Sequence, residues 1–175
     1  MKKNLIIILM TVVAALNANA QKDTKQLSFG FGVEGGIVTG KVKDIYTATG
    51  GVTGRASYRV GPGFATVTTG VLVLTPKNFE GEDLNAGVVI PVKAGYKYLI
   101  NNRFFVMGEL GYSTLKIYEN YSGSGSLYSY TESGFTYAPS VGVQFGTFEV
   151  GLRYESTALK GVTMSAALLR LGWNF

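Results

Sequence analysis

The feature that most constrains the fold is a period of two in the apolar residues that follow Gln21. In the stretch 27–37, written LSFGFGVEGGI, apolar side chains alternate with glycine, serine and glutamate. Because successive side chains of a β-strand point to opposite faces, this pattern predicts a strand with one apolar and one polar face. Seven further stretches are predicted strands: 50–60, 64–74, 84–98, 103–115, 134–146, 147–156 and 167–175. The alternation in 64–74 is too poor to assign its faces.

The predicted connections between these strands alternate along the chain between longer and shorter, so that the longer ones would lie at one end of the sheet and the shorter ones at the other. The longer ones are 38–48, 75–83, 116–133 and 157–162, and the shorter ones are 61–63, 100–102 and 146–147. Strands of about ten residues can cross a bilayer when tilted, and outer-membrane barrels have short turns on one side and longer loops on the other. The sequence therefore predicts an all-β fold, an eight-stranded antiparallel up-and-down transmembrane β-barrel.

The first 20 residues have the pattern of a cleaved secretory signal. Lys2 and Lys3 precede an apolar run at 5–16, and the segment closes on Ala18-Asn19-Ala20. This order of charged, apolar and small residues is typical of a signal peptide, and the run is shorter than the ~20 residues of a spanning helix. We expect a signal peptide at 1–20 and one barrel domain at 21–175 that works outside the cytoplasm.

The composition excludes several classes of function. The chain has no cysteine and no histidine, which removes disulfides, His-based catalytic triads and His-ligated metal sites. Without Lys2 and Lys3 the mature chain carries 14 basic against 11 acidic residues, and a net charge of +3 is too small to indicate a nucleic-acid partner. The stretch GFGVEG at 30–35 matches a dinucleotide-binding pattern but lies inside a predicted strand. We expect no cofactor, no metal and no enzymatic activity.

The polar face of the predicted strands is expected to line the barrel interior. It consists mostly of small residues, whereas a water-facing exterior would be rich in charges, and eight strands leave room inside only for side chains. Buried charges are tolerated when they are paired. Ten charged residues on this face are predicted to form an internal ion-pair network: Glu34, Arg55, Arg59, Lys93, Lys97, Glu109, Glu149, Arg153, Glu155 and Arg170.

Neighbouring strands suggest particular ion pairs within this network. They offer Glu34 a partner in Arg55 or Arg170. They offer Lys93 a partner in Glu109. We therefore interpret the interior as a polar plug.

The last strand is apolar to its end. The segment LRLGWNF places Trp173 and Phe175 on one face and Arg170 on the other. Together with the signal, the eight alternating strands and the unequal connections, this ending resembles the small outer-membrane β-barrels of the OmpA/OmpX type, among the porin-like families. The resemblance implies a place in the bacterial outer membrane, in contact with its lipid and lipopolysaccharide. It also implies that Trp173 and Phe175 are an assembly signal for the barrel-assembly machinery.

The predicted loop at 116–133, written KIYENYSGSGSLYSYTES, is the most distinctive surface. Tyrosine among serine and glycine is the composition of binding loops, and loops on a rigid scaffold often carry recognition. The candidate contacts for an unidentified surface partner are Tyr118, Tyr121, Tyr128 and Tyr130. The alternative is a mobile hairpin whose tyrosines rest on the barrel rim or on lipopolysaccharide.

Three functional hypotheses stay open from the sequence. The first is a non-enzymatic barrel with a filled polar interior that acts in envelope structure or surface interaction through loops 38–48 and 116–133. The second is a narrow pore for small solutes or ions. The third inverts the barrel, with the apolar face inward, as a secreted lipocalin-like carrier of an apolar ligand.

Overall fold

The computed structural model describes residues 26–77, 86–101, 103–120 and 127–175, with the backbone alone at 118–120 and 127–129. Consecutive strands pair antiparallel, and the last pairs with the first to close a barrel. The strands are β1 (Leu27–Gly40), β2 (Tyr46–Val60), β3 (Gly63–Pro76), β4 (Gly87–Ile100), β5 (Phe104–Asn120), β6 (Leu127–Phe145), β7 (Phe148–Leu159) and β8 (Val162–Asn174). The predicted eight-stranded barrel is confirmed, and the predicted signal peptide lies outside the described residues.

The sequence alternation separates an apolar outer surface from a largely polar interior. On β1, Phe31 and Val33 are 54% and 52% exposed, whereas Glu34 between Val33 and Gly35 is 1% exposed. Large apolar side chains on all eight strands face outward in the same way. So much exposed apolar surface requires an apolar surrounding, which a bilayer supplies. The lipocalin-like alternative is therefore wrong, because the apolar face lies outside.

The structure assigns the faces of β3, where the alternation was poor. Its outward positions include Val67, Val71 and Val73. Its inward positions include Leu72 and Leu74, which are 3% and 2% exposed. Both faces are apolar over this part of the strand, and for that reason the alternation fades there.

The two ends of the barrel are built differently. One end, here called the turn end, has the connections 61–62, 101–103 and 146–147. The opposite end, the loop end, has a short 3₁₀ helix (Lys41–Asp44) and the connections 77–86, 121–126 and 160–161. Within the described ranges, no helix is long and apolar enough to cross a membrane.

Three predicted loops at the loop end are too long. The predicted loop 38–48 spans only 41–45, between β1 and β2. The predicted loop 157–162 is a two-residue turn, Lys160-Gly161, in which Gly161 has the positive φ of 80° that favours glycine. The predicted loop 116–133 belongs mostly to β5 and β6, whose pairing continues to Asn120 and Leu127. Tyrosine and threonine favour strands, and the hydroxyls of Thr114 and Ser133 hydrogen-bond across the pair at 2.8 Å.

The chain closes on itself at the turn end. The Phe175 N–H donates to the Phe29 carbonyl at 2.8 Å, and the Phe29 N–H donates to the Phe175 carbonyl at 3.0 Å. The Trp173 ring stacks on Phe31 at 5.7 Å between centroids and meets Phe148 edge-on at 4.9 Å. The apolar ending of the sequence is thus a strand paired on both sides.

Candidate functional site

Buried ionisable side chains fill the interior from the turn end to the middle of the barrel. Each lies at an inward strand position and is at most 6% exposed. Because an eight-stranded barrel is narrow, inward side chains of strands that are not neighbours also meet. The nine residues, here called the ion-pair layer, are Glu34, Arg55, Lys93, Lys97, Glu109, Glu149, Arg153, Glu155 and Arg170.

Arg153 on β7 joins two carboxylates in the middle of this layer. Its Nη1 donates to both oxygens of Glu34 at 2.8 Å, and its Nη2 lies 2.9 Å from Oε2 of Glu109. The Thr53 hydroxyl also donates to Glu34 Oε1, at 2.7 Å. The Nε of Arg170 lies 3.2 Å from the same oxygen. Glu34 is therefore held by two arginines and one hydroxyl.

Glu149 on β7 collects three basic side chains nearer the turn end. Arg55 Nη1 donates to its Oε1 at 2.7 Å, and Lys97 Nζ donates to its Oε2 at 2.6 Å. Arg170 Nη1 also pairs with Oε1. The side-chain amide of Asn174 donates to Oε2 at 3.2 Å. A single carboxylate thus contacts three cations.

The observed pairs differ in part from those expected of neighbouring strands. Glu34 contacts Arg170, as expected, but Arg55 pairs with Glu149 instead. The expected pair of Lys93 with Glu109 is also wrong, since Lys93 on β4 pairs with Glu155 on β7, across the interior.

Arg59 does not join the ion-pair layer. It has the same inward parity on β2 as Arg55 and Ser57, which are buried, but Arg59 itself is exposed. It lies one residue before the end of the strand, past the packed part of the interior. The prediction that placed it in the network is wrong, because strand parity does not reveal where the interior ends.

The interior toward the loop end is apolar, a feature that the alternation of the strands does not predict. Val42 reaches this region from the 3₁₀ helix Lys41–Asp44. The only sequence signal was the loss of alternation in 64–74, because inward leucines resemble lipid-facing ones. This apolar layer consists of Val38, Val42, Tyr46, Leu72, Leu74, Val89, Leu115 and Met164.

Little space separates the side chains of the two layers. A cavity of about 20 Å³ lies beside Leu72, Met164 and Glu155, and another of about 10 Å³ lies beside Arg55 and Arg153. Each has room for about one water molecule. Between the layers, the Thr136 hydroxyl bonds those of Ser113 and Thr157, each at 2.8 Å.

The candidate loop tyrosines lie on or beside the β5–β6 hairpin. Tyr118 is in β5 and Tyr128 in β6, described by their backbones, and Tyr121 lies outside the described residues. The Tyr130 side chain is 54% exposed, and its hydroxyl donates to Glu132 Oε2 at 2.7 Å. The other oxygen of Glu132 accepts the backbone N–H of Lys160. Glu132 thus ties the hairpin to the β7–β8 turn.

The hairpin extends beyond its neighbour β7. Pairing of β6 with β7 begins at Phe135 and Ala158, whereas pairing of β6 with β5 continues to Leu127. The stretch 127–134 is therefore outside the β6–β7 ladder. An edge of this kind presents backbone N–H and C=O groups to another chain. We call it the β6 edge.

The described residues do not gather the groups that metal binding needs. No cluster of three or more His, Cys, Asp or Glu side chains able to hold a metal occurs in the described part of the chain. The four carboxylates of the ion-pair layer each contact a basic side chain.

Solved structures of outer-membrane proteins share this fold. The attachment invasion locus protein Ail of Yersinia pestis aligns with a TM-score of 0.62 at 19% identity, over 85% of this chain and 97% of that chain. The N-terminal β-barrel domain of Pseudomonas aeruginosa OprF aligns with 0.62 at 13% identity, over 85% and 97%. Neisserial surface protein A aligns with 0.55 at 14% identity, over 86% and 96%. At these identities the likeness shows the fold alone.

The sequence itself gives the family. No curated protein matches it significantly. The model of the outer membrane protein beta-barrel domain, however, matches residues 7–175, which include every strand of the barrel. With its apolar belt outside and its charges inside, the chain belongs to the outer membrane protein beta-barrel domain family and is a protein of the bacterial outer membrane.

Proposed function

We propose that this protein is a non-enzymatic barrel that binds a partner at the cell surface through the β5–β6 hairpin. The observation that carries the proposal is the β6 edge, 127–134, which extends past β7 at the loop end. The longer connections of outer-membrane barrels face the cell exterior. In that orientation the β6 edge projects away from the membrane.

The chemistry of the β6 edge suits an extended polypeptide. Such a segment can add a strand to a free sheet edge, with backbone hydrogen bonds for affinity and alternate side chains for specificity. Tyr130, Thr131 and Ser133 are exposed along this edge. Tyrosine supplies a rigid anchor and the hydroxyl residues supply adaptable hydrogen bonds. Glu132, anchored to the Lys160 N–H, holds the edge in place.

A sulfated polysaccharide is the second candidate partner. Ail of Yersinia pestis has been solved in complex with the heparin analogue sucrose octasulfate, and it aligns with this chain at a TM-score of 0.65. The loop end here carries exposed Lys41, Lys43 and Lys160, which could pair with sulfate groups.

Assembly and lipid contacts complete the proposal. Outer-membrane lipid and lipopolysaccharide surround the apolar belt, and the barrel-assembly machinery reads Trp173 and Phe175. The packing of Trp173 against Phe31 and Phe148, and the closure of Phe175 on Phe29, support a role for this strand in sealing the barrel. The narrow pore has less support, because an ion-pair layer and an apolar layer both occupy the interior.

Adhesion of intact cells tests the proposal. Cells display the wild type, a variant in which 116–131 is replaced by Asn-Gly between the paired Leu115 and Glu132, or Lys160→Ala, which keeps the backbone N–H at the same end of the barrel. Surfaces are coated with a panel of extracellular proteins or with heparin, and the slower gel mobility of boiled protein verifies folding. Loss of protein adhesion in the hairpin variant alone is expected. Equal adhesion by all three would refute the hairpin as the contact, and heparin adhesion lost only in Lys160→Ala would favour the second candidate.

A further inference from the structure

The ion-pair layer carries more positive than negative charge. Lys93 and Glu155 form a separate neutral pair. The remaining contacts connect three glutamates with four basic side chains: Glu34, Glu109, Glu149, Arg55, Lys97, Arg153 and Arg170. This connected network has a formal charge of +1 inside a wall that faces lipid. An uncompensated charge in such a place is costly.

The positive excess is concentrated around Glu149. Its carboxylate contacts Arg55, Lys97 and Arg170 at once. Arg170 also contacts Glu34, but Glu34 already accepts two hydrogen bonds from Arg153. The single negative charge of Glu149 is therefore the main counter-charge for three positive side chains.

A small cavity lies among these side chains. Its volume is about 10 Å³, and Arg55, Arg153 and Arg170 line it together with Ser140 and Glu149. The Nη2 of Arg170 is buried and has no acceptor in hydrogen-bond geometry, whereas the Nη2 of Arg153 lies 2.9 Å from Oε2 of Glu109. Both arginines are 3% exposed. An N–H donor without an acceptor thus belongs to Arg170, one of the three arginines that border the cavity.

We propose that this cavity binds one monatomic anion, chloride under ordinary conditions. The anion brings the connected network to neutrality and accepts from guanidinium N–H groups, which carry donors only. The volume is that of about one water-sized particle, which excludes phosphate and carboxylate ligands. Phe105, Met107 and Gly151 form the apolar part of the cavity wall. Water is the competing occupant, since it fits the space but carries no charge.

Anomalous diffraction tests the identity of the occupant. Crystals of the folded barrel are grown in sodium chloride and measured at a long wavelength, where chlorine scatters anomalously. An anomalous peak in the cavity, beside Arg170, is expected. Density there without an anomalous signal would show water and overturn the proposal.

A stability measurement tests the same site in solution. The temperature at which the unboiled gel form converts to the boiled form is measured in chloride and in gluconate at equal ionic strength. Lys97→Gln removes the excess charge and leaves Arg55 and Arg170 on Glu149. Gly151→Ala adds a methyl group to the cavity wall, with its Cβ 3.0 Å from the Phe105 ring. The matched control is Gly54→Ala, because a Cβ at Gly54 meets nothing within 4 Å.

The variants give distinct outcomes. A higher conversion temperature in chloride is expected for the wild type and Gly54→Ala, with the chloride effect absent in Lys97→Gln and Gly151→Ala. The same chloride effect in all four proteins would place the anion elsewhere and refute the site. If either interior variant fails to fold, the anomalous map of the wild type decides the question.

Discussion

Arg153 links more of the interior charge than its place in the sequence suggests. Its guanidinium contacts Glu34 on β1 and Glu109 on β5, strands that are not neighbours of β7. Both carboxylates are 1% exposed, so neither can turn to water if the guanidinium is removed. Among the described contacts Glu109 pairs with Arg153 alone, whereas Glu34 also pairs with Arg170.

Replacement of this arginine is expected to destabilise the barrel strongly. Arg153→Met leaves Glu34 and Glu109 without their shared cation, and removal of one partner of a buried ion pair costs about 3–5 kcal/mol. Arg59→Met is the matched control, because Arg59 is exposed and its loss should cost less than about 0.5 kcal/mol. Urea unfolding of the barrel in detergent micelles measures both changes. Similar free energies of unfolding for the two variants would contradict the assigned role of Arg153.

Two adjacent glycines of β1 face opposite sides of the barrel wall. They test whether close packing between β1 and β8 requires glycine at the inward position. A Cβ at Gly36 would overlap the Ala167 carbonyl oxygen and lie 2.8 Å from the Leu168 Cα, whereas a Cβ at Gly35 meets nothing within 4 Å. Gly36→Ala must push β1 and β8 apart, at a cost of about 1–3 kcal/mol. Gly35→Ala should be nearly neutral. The same urea experiment measures both, and equal losses would show that crowding does not decide these positions.

The β5–β6 hairpin is the element that departs most from a plain barrel. β5 has 17 residues and β6 has 19, whereas β7 has 12, so the hairpin projects from one side. Glu132 braces it against the β7–β8 turn, beyond the outward aromatic pair Tyr112 and Phe135. Two hydrogen bonds lower the pKa of Glu132 below its ordinary value. The one from the Tyr130 hydroxyl has the larger effect and the one from the Lys160 N–H the smaller.

This brace is expected to weaken in acid. A carboxyl whose pKa is lowered by folding stabilises the fold above its unfolded pKa of about 4.3, and the contribution is lost as the pH falls below that value. The amide proton shift of Lys160, followed by NMR in micelles, should titrate with a midpoint below 4.3. In Glu132→Gln the titration should vanish. A titration that persists in the variant would assign the shift to another group.

At the scale of the whole molecule, the interior is closed twice. The ion-pair layer blocks it from the turn end to the middle, and the apolar layer blocks it toward the loop end, where Val42 enters from the 3₁₀ helix. The chemistry of the two layers differs, so a change that loosens the charges leaves the apolar layer in place.

Conduction measurements follow from this double closure. The purified wild type in a planar bilayer should show no steady ohmic steps. Arg153→Met should also show none, because the apolar layer remains. Steady steps in the wild type would favour the narrow pore over the filled barrel, and steps in Arg153→Met alone would show that the ion-pair layer is the only barrier.

The sequence by itself determined the strands, their number, and which face of most of them meets lipid. These properties depend on alternation, which each strand carries within its own residues, as in Phe31, Val33 and Glu34. The same parity placed nine charged residues in the interior before any partner was known. The lengths of the strands were harder to predict. Residues 116–120 and 127–133 belong to β5 and β6 because they pair with each other.

Only the tertiary structure decided what the interior residues contact. Closure of the barrel brings β4 opposite β7, which is how Lys93 meets Glu155, and no local pattern reports that distance. It also decided that Arg59 lies past the packed interior and that Leu72 and Leu74 point inward to form an apolar layer. An alternating sequence determines whether a side chain faces lipid or the barrel interior. The residue that it contacts across the interior, and the point along the strand at which the packed interior ends, depend on how the closed barrel brings distant strands together.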